Sequence, residues 1–221
     1  LTIDVPLSVP LQYRLQLLDT ATRTDRTDHG RRTITVTQGP MKSDEELPPL
    51  LPPDHPRSAH VVFSTGSSWK NIAAKYARVV DGQLAGFNAT PHLPKFTEAS
   101  TREQKILAIV NFLNKEIRYT GIEFSEAALV PHKPTEVLAR KFGDCKDKSA
   151  LAVALLRAAG MDAYVALLDS SLGQDVEADL PGIDGFNHAI VYVPGEPAYW
   201  LDPTDPGLRL GVVSPANQGR L

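Results

Sequence analysis

The sequence predicts an α+β protein in which helices come first and an antiparallel sheet follows, with a β-rich stretch ahead of both. Apolar residues recur at helical spacing through residues 101–117 and again through 146–159. Short apolar runs at 163–168, 189–193 and 199–201 follow them, the last two joined by Pro194-Gly195-Glu196-Pro197. Near the start, Tyr13–Leu17 and Arg32–Val36 alternate with a period of two.

In chain order, those two alternating segments are strands, and Asp28-His29-Gly30 between them is a turn. Residues 39–60 carry Pro40, Pro48, Pro49, Pro52, Pro53 and Pro56, which predicts an extended connection and a domain boundary. The expected division is 1–64 for the β-rich part with its linker and 65–221 for the remainder. Ser67-Ser68-Trp69 opens a helix to about Val80. Ser100 or Thr101, with Glu103 or Gln104, opens the next. Its face is Ile106, Ile109, Val110 and Leu113, continued by Ile117.

Residues 120–141, with Pro131 and Pro134, read as an irregular loop. A helix from about Lys146 to Ala159 stops at Gly160, and its stripe of Leu151, Leu155 and alanines is core. The polar, Gly-rich residues 169–186 read as a mobile loop. Trp69 and Trp200 read as core or cleft-wall aromatics.

Bulk properties exclude several classes. The 221 residues are 42% hydrophobic and 22% charged, a globular composition. A net charge of −3 and a pI near 6.1 give no footprint for nucleic acid. No apolar run approaches the roughly 20 residues of a spanning helix. One cysteine excludes an internal disulfide framework. Cys-x-x-Cys, His-Glu-x-x-His and phosphate-cradling glycine motifs are all missing from the sequence, so no metal or cofactor is expected. The chain starts at Leu1 without a leader pattern and reads as a piece of a longer protein.

The chemistry concentrates at Phe142-Gly143-Asp144-Cys145-Lys146-Asp147-Lys148, which sets the single cysteine at the start of a helix. There it faces unpaired N–H groups and the positive end of the helix dipole, and both favour thiolate. His188 opens an apolar strand, and Asp202 follows the next strand 14 residues later, a hairpin distance that sets the two side by side. Cys145, His188 and Asp202 can therefore act as nucleophile, base and orienting carboxylate.

Each residue also has a plainer reading. A lone cysteine is usually a small buried hydrophobe, although the charges beside Cys145 argue against a deep core. His188 can be a strand-end histidine, and Asp-Pro-Thr-Asp at 202–205 an ordinary turn in which Asp205 rivals Asp202. Asp144 and Asp147 suit helix capping better than chemistry. Lys146 and Lys148 either support a thiolate or are solvated.

Gly143–Lys148, Phe186-Asn187-His188 and Trp200-Leu201-Asp202-Pro203-Thr204 together resemble the bacterial branch of the transglutaminase-like superfamily. So does Arg118-Tyr119-Thr120-Gly121-Ile122 followed by Pro131 and Pro134. The resemblance covers about residues 60–210, and residues 1–65 look like the end of the β-rich domain of unknown function that often precedes such domains.

It implies a papain-like core, with Cys145 as nucleophile, His188 as base and acid, and Asp202 as orienter. The implied reaction is hydrolysis or acyl transfer on peptide or Gln-like carboxamide substrates through a thioester. Cys145 N–H is the implied first oxyanion donor, with Tyr119 and Gly121 as candidates for the second, and His132 and Asp144 as cleft candidates. Calcium regulates some animal members, but no acidic loop with ligand spacing occurs here. Flanking domains, a peptide or protein partner and an extracytoplasmic bacterial location are further implications. A peptide- or cell-wall-binding module on the same fold is the alternative.

Overall fold

The computed structural model describes residues 1–40, 58–121, 129–170 and 176–218. Most of the proline-rich linker, Ile122 and residues 171–175 of the 169–186 loop lie outside the described residues. The described residues form two compact units, Leu1–Ile72 with Ser171–Gly185, and Ala73–Ser170 with Phe186–Arg220.

The first unit holds strands β1 (Thr2–Pro6), β2 (Gln12–Gln16), β3 (Thr22–Asp28), β4 (Arg31–Thr37) and β5 (His60–Ser64). One antiparallel sheet has the order β1-β4-β3, and β2 pairs antiparallel with β5. Leu11, Ile34 and Val36 form its small core. The expected turn is present, but it joins β4 to β3 rather than to the 13–17 strand. Asp28 pairs with Arg31, which leaves His29 (φ 47°) and Gly30 (φ 75°) as the two left-handed residues of a type I′ hairpin. β3 reads Thr-Arg-Thr-Asp-Arg-Thr-Asp with every side chain exposed, so it has no apolar alternation to detect. It is held by its ladder to β4 and by Arg32 on Asp25 at 2.8 Å.

In the second unit, α2 (Arg102–Glu116), α3 (Pro134–Arg140) and α4 (Cys145–Ala158) pack with a sheet of order β10-β9-β8. Its strands are β8 (Tyr164–Leu168), β9 (His188–Val193) and β10 (Tyr199–Leu201), antiparallel throughout. The expected α+β order of helices and then an antiparallel sheet is what the chain adopts. α1 (Trp69–Leu84) runs one turn past its expected end.

Thr101 caps α2 in a full capping box with Gln104, and Ile106, Ile109, Val110 and Leu113 are buried along the expected face. They meet Leu151, Leu155 and Leu156 of α4 and Val191, Val193 and Leu201 of the sheet in one core. Arg102 then clasps the hairpin between β9 and β10. Its guanidinium donates to Pro194 O and Pro197 O, each at 2.6 Å.

The segment expected to be irregular, 120–141, contains a helix. Pro134 stands at the first helical position, where its fixed φ suits the helix and its missing N–H costs nothing. Lys141 ends α3 in the left-handed region at φ 61°, a place glycine usually takes. Seven residues with Val137 buried, beside two prolines, give too short a pattern to read as a helix. Between these elements, β6 (Arg118–Tyr119) pairs in parallel with β7 (Phe142–Gly143), bringing the end of α2 to the approach of Cys145. No helix among the described residues is long and apolar enough to cross a membrane.

Candidate active site

α4 starts with a capping box made of two aspartates. The Asp144 carboxylate accepts from Asp147 N at 3.2 Å, and the Asp147 carboxylate accepts from Asp144 N at 3.4 Å. Cys145 is therefore the first helical residue, among the N–H groups that a helix leaves without internal acceptors.

The tract is deeply buried, contrary to the expectation drawn from its charges. Cys145 is 5% exposed, and Asp144, Lys146, Asp147 and Lys148 are each about as hidden or more so. Burial of four charges is tolerated because each has a partner of its own. Lys146 pairs with Asp144. Asp147 accepts from Arg140 Nη2 at 2.5 Å and from His132 N at 2.8 Å, with His132 Nδ1 at 3.1 Å. Lys148 Nζ donates to Asn114 Oδ1 and to Ile117 O, both at 3.1 Å. The solvated reading of the two lysines is thus overturned. Asp144 and Asp147 do cap the helix, as their spacing suggests.

Ser149 fixes α4 to β9 by donating to Ala189 O at 2.9 Å, and the adjacent residue, His188, opens β9. Leu201 pairs with Val191, so the same register continued by one residue sets Asp202 against Ile190. His188 is then its diagonal neighbour rather than the directly opposed residue the hairpin spacing suggests, within reach of a long side chain. The side chains meet: His188 Nε2 lies 2.7 Å from Asp202 Oδ2. Asp202 Oδ1 accepts from Thr204 N at 2.9 Å and Thr204 Oγ1 at 2.6 Å, and Asn217 Nδ2 adds a contact to Oδ2 at 3.3 Å. Asp205 instead accepts from Gly207 N, so Asp202 is the aspartate at His188.

Cys145 also acts on the imidazole, adding to Asp202 in favouring its charged form. Burial opposes a charge on His188, but its hydrogen bonds to Asp202 and Cys145 outweigh this and push its pKa up to about 10. Burial likewise opposes the Asp202 anion, and the His188 and Thr204 hydrogen bonds win, holding its pKa below the usual value.

Tyr119 is exposed on β6, opposite Gly143, and Thr120 N donates to Gly143 O at 3.0 Å, so Tyr119–Gly121 runs beside the residues that lead into Cys145. His132 belongs to the Asp147–Arg140 cluster. Trp200 is not core: it is 45% exposed and lies against Tyr192 at 4.6 Å between ring centroids. Asn114, Arg140 and Tyr76 were not singled out by sequence. Tyr76 is buried on α1 with a hydroxyl that has no partner among the described residues. Burial, with the charges of Cys145, Asp144 and Asp147, raises its pKa.

The second unit is thus an α+β domain that holds a buried cysteine at a helix N-terminus and a His–Asp pair carried by an antiparallel hairpin. Residues 94–201 match the family model of the transglutaminase-like superfamily, and this stretch is a transglutaminase-like superfamily domain. No curated protein matches the chain. Among solved structures, the chain is similar to one named a putative protease, from Parabacteroides distasonis, with a TM-score of 0.69 and 20% identity. That alignment covers 90% of this chain and 39% of the other, and it shows a shared fold. A protein named a putative cysteine protease from Cytophaga hutchinsonii aligns over 91% of this chain and 66% of its own. Its identity is 12% and its TM-score 0.39, too low to define a common fold.

Proposed function

We propose that the second unit is a cysteine-dependent peptidase or amidase that acts through a thioester, with Cys145, His188 and Asp202 as its catalytic group. The observation that carries this reading is the 2.7 Å contact of His188 Nε2 with Asp202, on an imidazole whose charged form Cys145 also favours. The family match and the name of the Parabacteroides distasonis neighbour, a putative protease, support the same class.

His188 holds its proton well above neutrality, so in this reading it serves as the imidazolium beside the attacking Cys145 sulfur. The Cys145 sulfur adds to the carbonyl carbon of the substrate amide. Its oxygen becomes an oxyanion facing the N–H of Cys145 at the helix start, where the dipole favours negative charge. A second donor from Tyr119–Gly121 fits the run of that segment beside Gly143. His188 gives its proton to the leaving nitrogen, the C–N bond breaks, and a thioester remains. His188 then takes a proton from water, the hydroxide adds, and the C–S bond breaks. Acid product leaves and the ion pair is restored. An amine in place of water gives transamidation, but hydrolysis needs no acceptor site. Asp202, fixed by Thr204 and Asn217, holds the imidazole in register and balances its charge.

The test is intact-mass analysis after incubation with Gln-containing peptides, with hydroxylamine present to trap the acyl group. Hydroxamate that depends on Cys145 supports the proposal. No Cys145-dependent product, with peptide retained equally by Cys145→Ala, favours a binding module on this fold instead.

A further inference from the structure

The catalytic reading accounts for Cys145, His188 and Asp202, and leaves Lys148 without a role. Lys148 lies three residues after Cys145 on α4 and is 2% exposed. No acidic side chain among the described residues forms an ion pair with it. Its ammonium instead meets two neutral oxygens, Asn114 Oδ1 and Ile117 O. Burying an ammonium on neutral acceptors is costly, and an apolar residue of similar length would serve packing better.

Asn114 shows where the contact leads. Its carboxamide accepts from Lys148 and donates through Nδ2 to Asp205 O at 3.1 Å. Asp205 N in turn donates to Asp202 O at 3.1 Å, closing the turn that carries the Asp202 carboxylate. An unbroken hydrogen-bonded path thus joins the nucleophile's helix, α2 and the acid turn.

We propose that Lys148 is a positioning residue of the site, which holds the Asp202 turn through Asn114 and supplies the positive charge that balances the buried catalytic group. The inference rests on the catalytic reading above. Thiolate, imidazolium and carboxylate sum to one negative charge, and Lys148 brings that sum to zero. The other buried charges nearby already cancel: Asp144 with Lys146, and Asp147 with Arg140, with His132 beside them. Burial lowers the Lys148 pKa, and the Asp202 anion acts in the opposite direction, which puts the two charges within electrostatic reach of each other.

The experiment is the pH dependence of Cys145 alkylation by iodoacetamide in wild type, Lys148→Met, Asn114→Ala and the double variant, each with a thermal melt. Wild type is expected to show a depressed inflection. In Lys148→Met it rises by about one pH unit, a tenfold loss of rate on its acid side, while the melting temperature holds or increases. Asn114→Ala, which keeps the lysine and cuts the path, gives a smaller shift, and the double variant is no worse than Lys148→Met. A wild-type profile in the folded variants overturns the role of Lys148 and leaves the catalytic reading standing. If Lys148→Met gives no cooperative melt, Asn114→Ala decides by the same criterion. A wild type without a depressed inflection overturns the catalytic reading and this inference together.

Discussion

The imidazole of His188 meets the Asp202 carboxylate through Nε2 at 2.7 Å, and the same carboxylate takes two hydrogen bonds from Thr204. Asp202 is thus fixed by its own turn before it touches the histidine. This arrangement explains opposite pKa displacements in one pair, with His188 raised and Asp202 lowered although both are mostly buried.

Stability should follow those displacements. His188 is raised, so its contribution is complete below its ordinary value of 6.5 and fades as pH climbs towards about 10. Asp202 is lowered, so its contribution is complete above its ordinary value of 3.8 and fades in more acidic solution. Thermal melts should show this pair's stabilisation to be greatest between roughly pH 4 and 6.5. The difference between wild type and His188→Ala should shrink steadily above that window.

Asp202→Asn should keep the fold and lower turnover by about 100-fold or more, the usual range for losing general acid–base catalysis. Thr204→Val removes one of the hydroxyl and amide donors to Asp202 and should have a smaller effect of the same sign. Steady-state kinetics on a peptide that wild type cleaves would check both.

Arg140→Ala should destabilise far more than Lys141→Ala. Arg140 pairs with the almost wholly buried Asp147, whereas Lys141 pairs with Glu116 at the surface. Leaving a buried carboxylate short of its cation costs about 3 kcal/mol or more, against at most about 1 for the exposed pair. In a chain of this size that is a drop of roughly 6–12 °C in melting temperature, measurable by calorimetry.

Tyr76→Phe removes a buried hydroxyl that has no partner among the described residues. An unsatisfied buried donor costs about 1–3 kcal/mol, so the variant should be more stable than wild type. Denaturant titration would show a higher midpoint at an unchanged slope.

Much of this was legible in the sequence. The Thr101–Gln104 box, the Ile106–Leu113 face and the helix beginning at Cys145 follow from spacing that physical chemistry constrains tightly. His188 and Asp202 were legible as ends of a hairpin. β3 was hidden because backbone pairing, not apolar alternation, holds it. α3 was hidden because Pro134 reads as a breaker unless its place at the first helical position is known. The burial of Asp144, Lys146, Asp147 and Lys148 was hidden because their partners, Arg140 and Asn114 among them, lie on other elements. Arg102, which clasps the β9–β10 hairpin, gives no local signal for the same reason.

The central claim is that His188 activates Cys145, and the most direct measurement is the rate of Cys145 alkylation by iodoacetamide against pH in wild type and His188→Ala. The expected result is an inflection well below the free-thiol value of about 8.5 in wild type, moving up towards that value in the variant. Slow alkylation with an inflection near the free-thiol value, the same in both proteins, would contradict it.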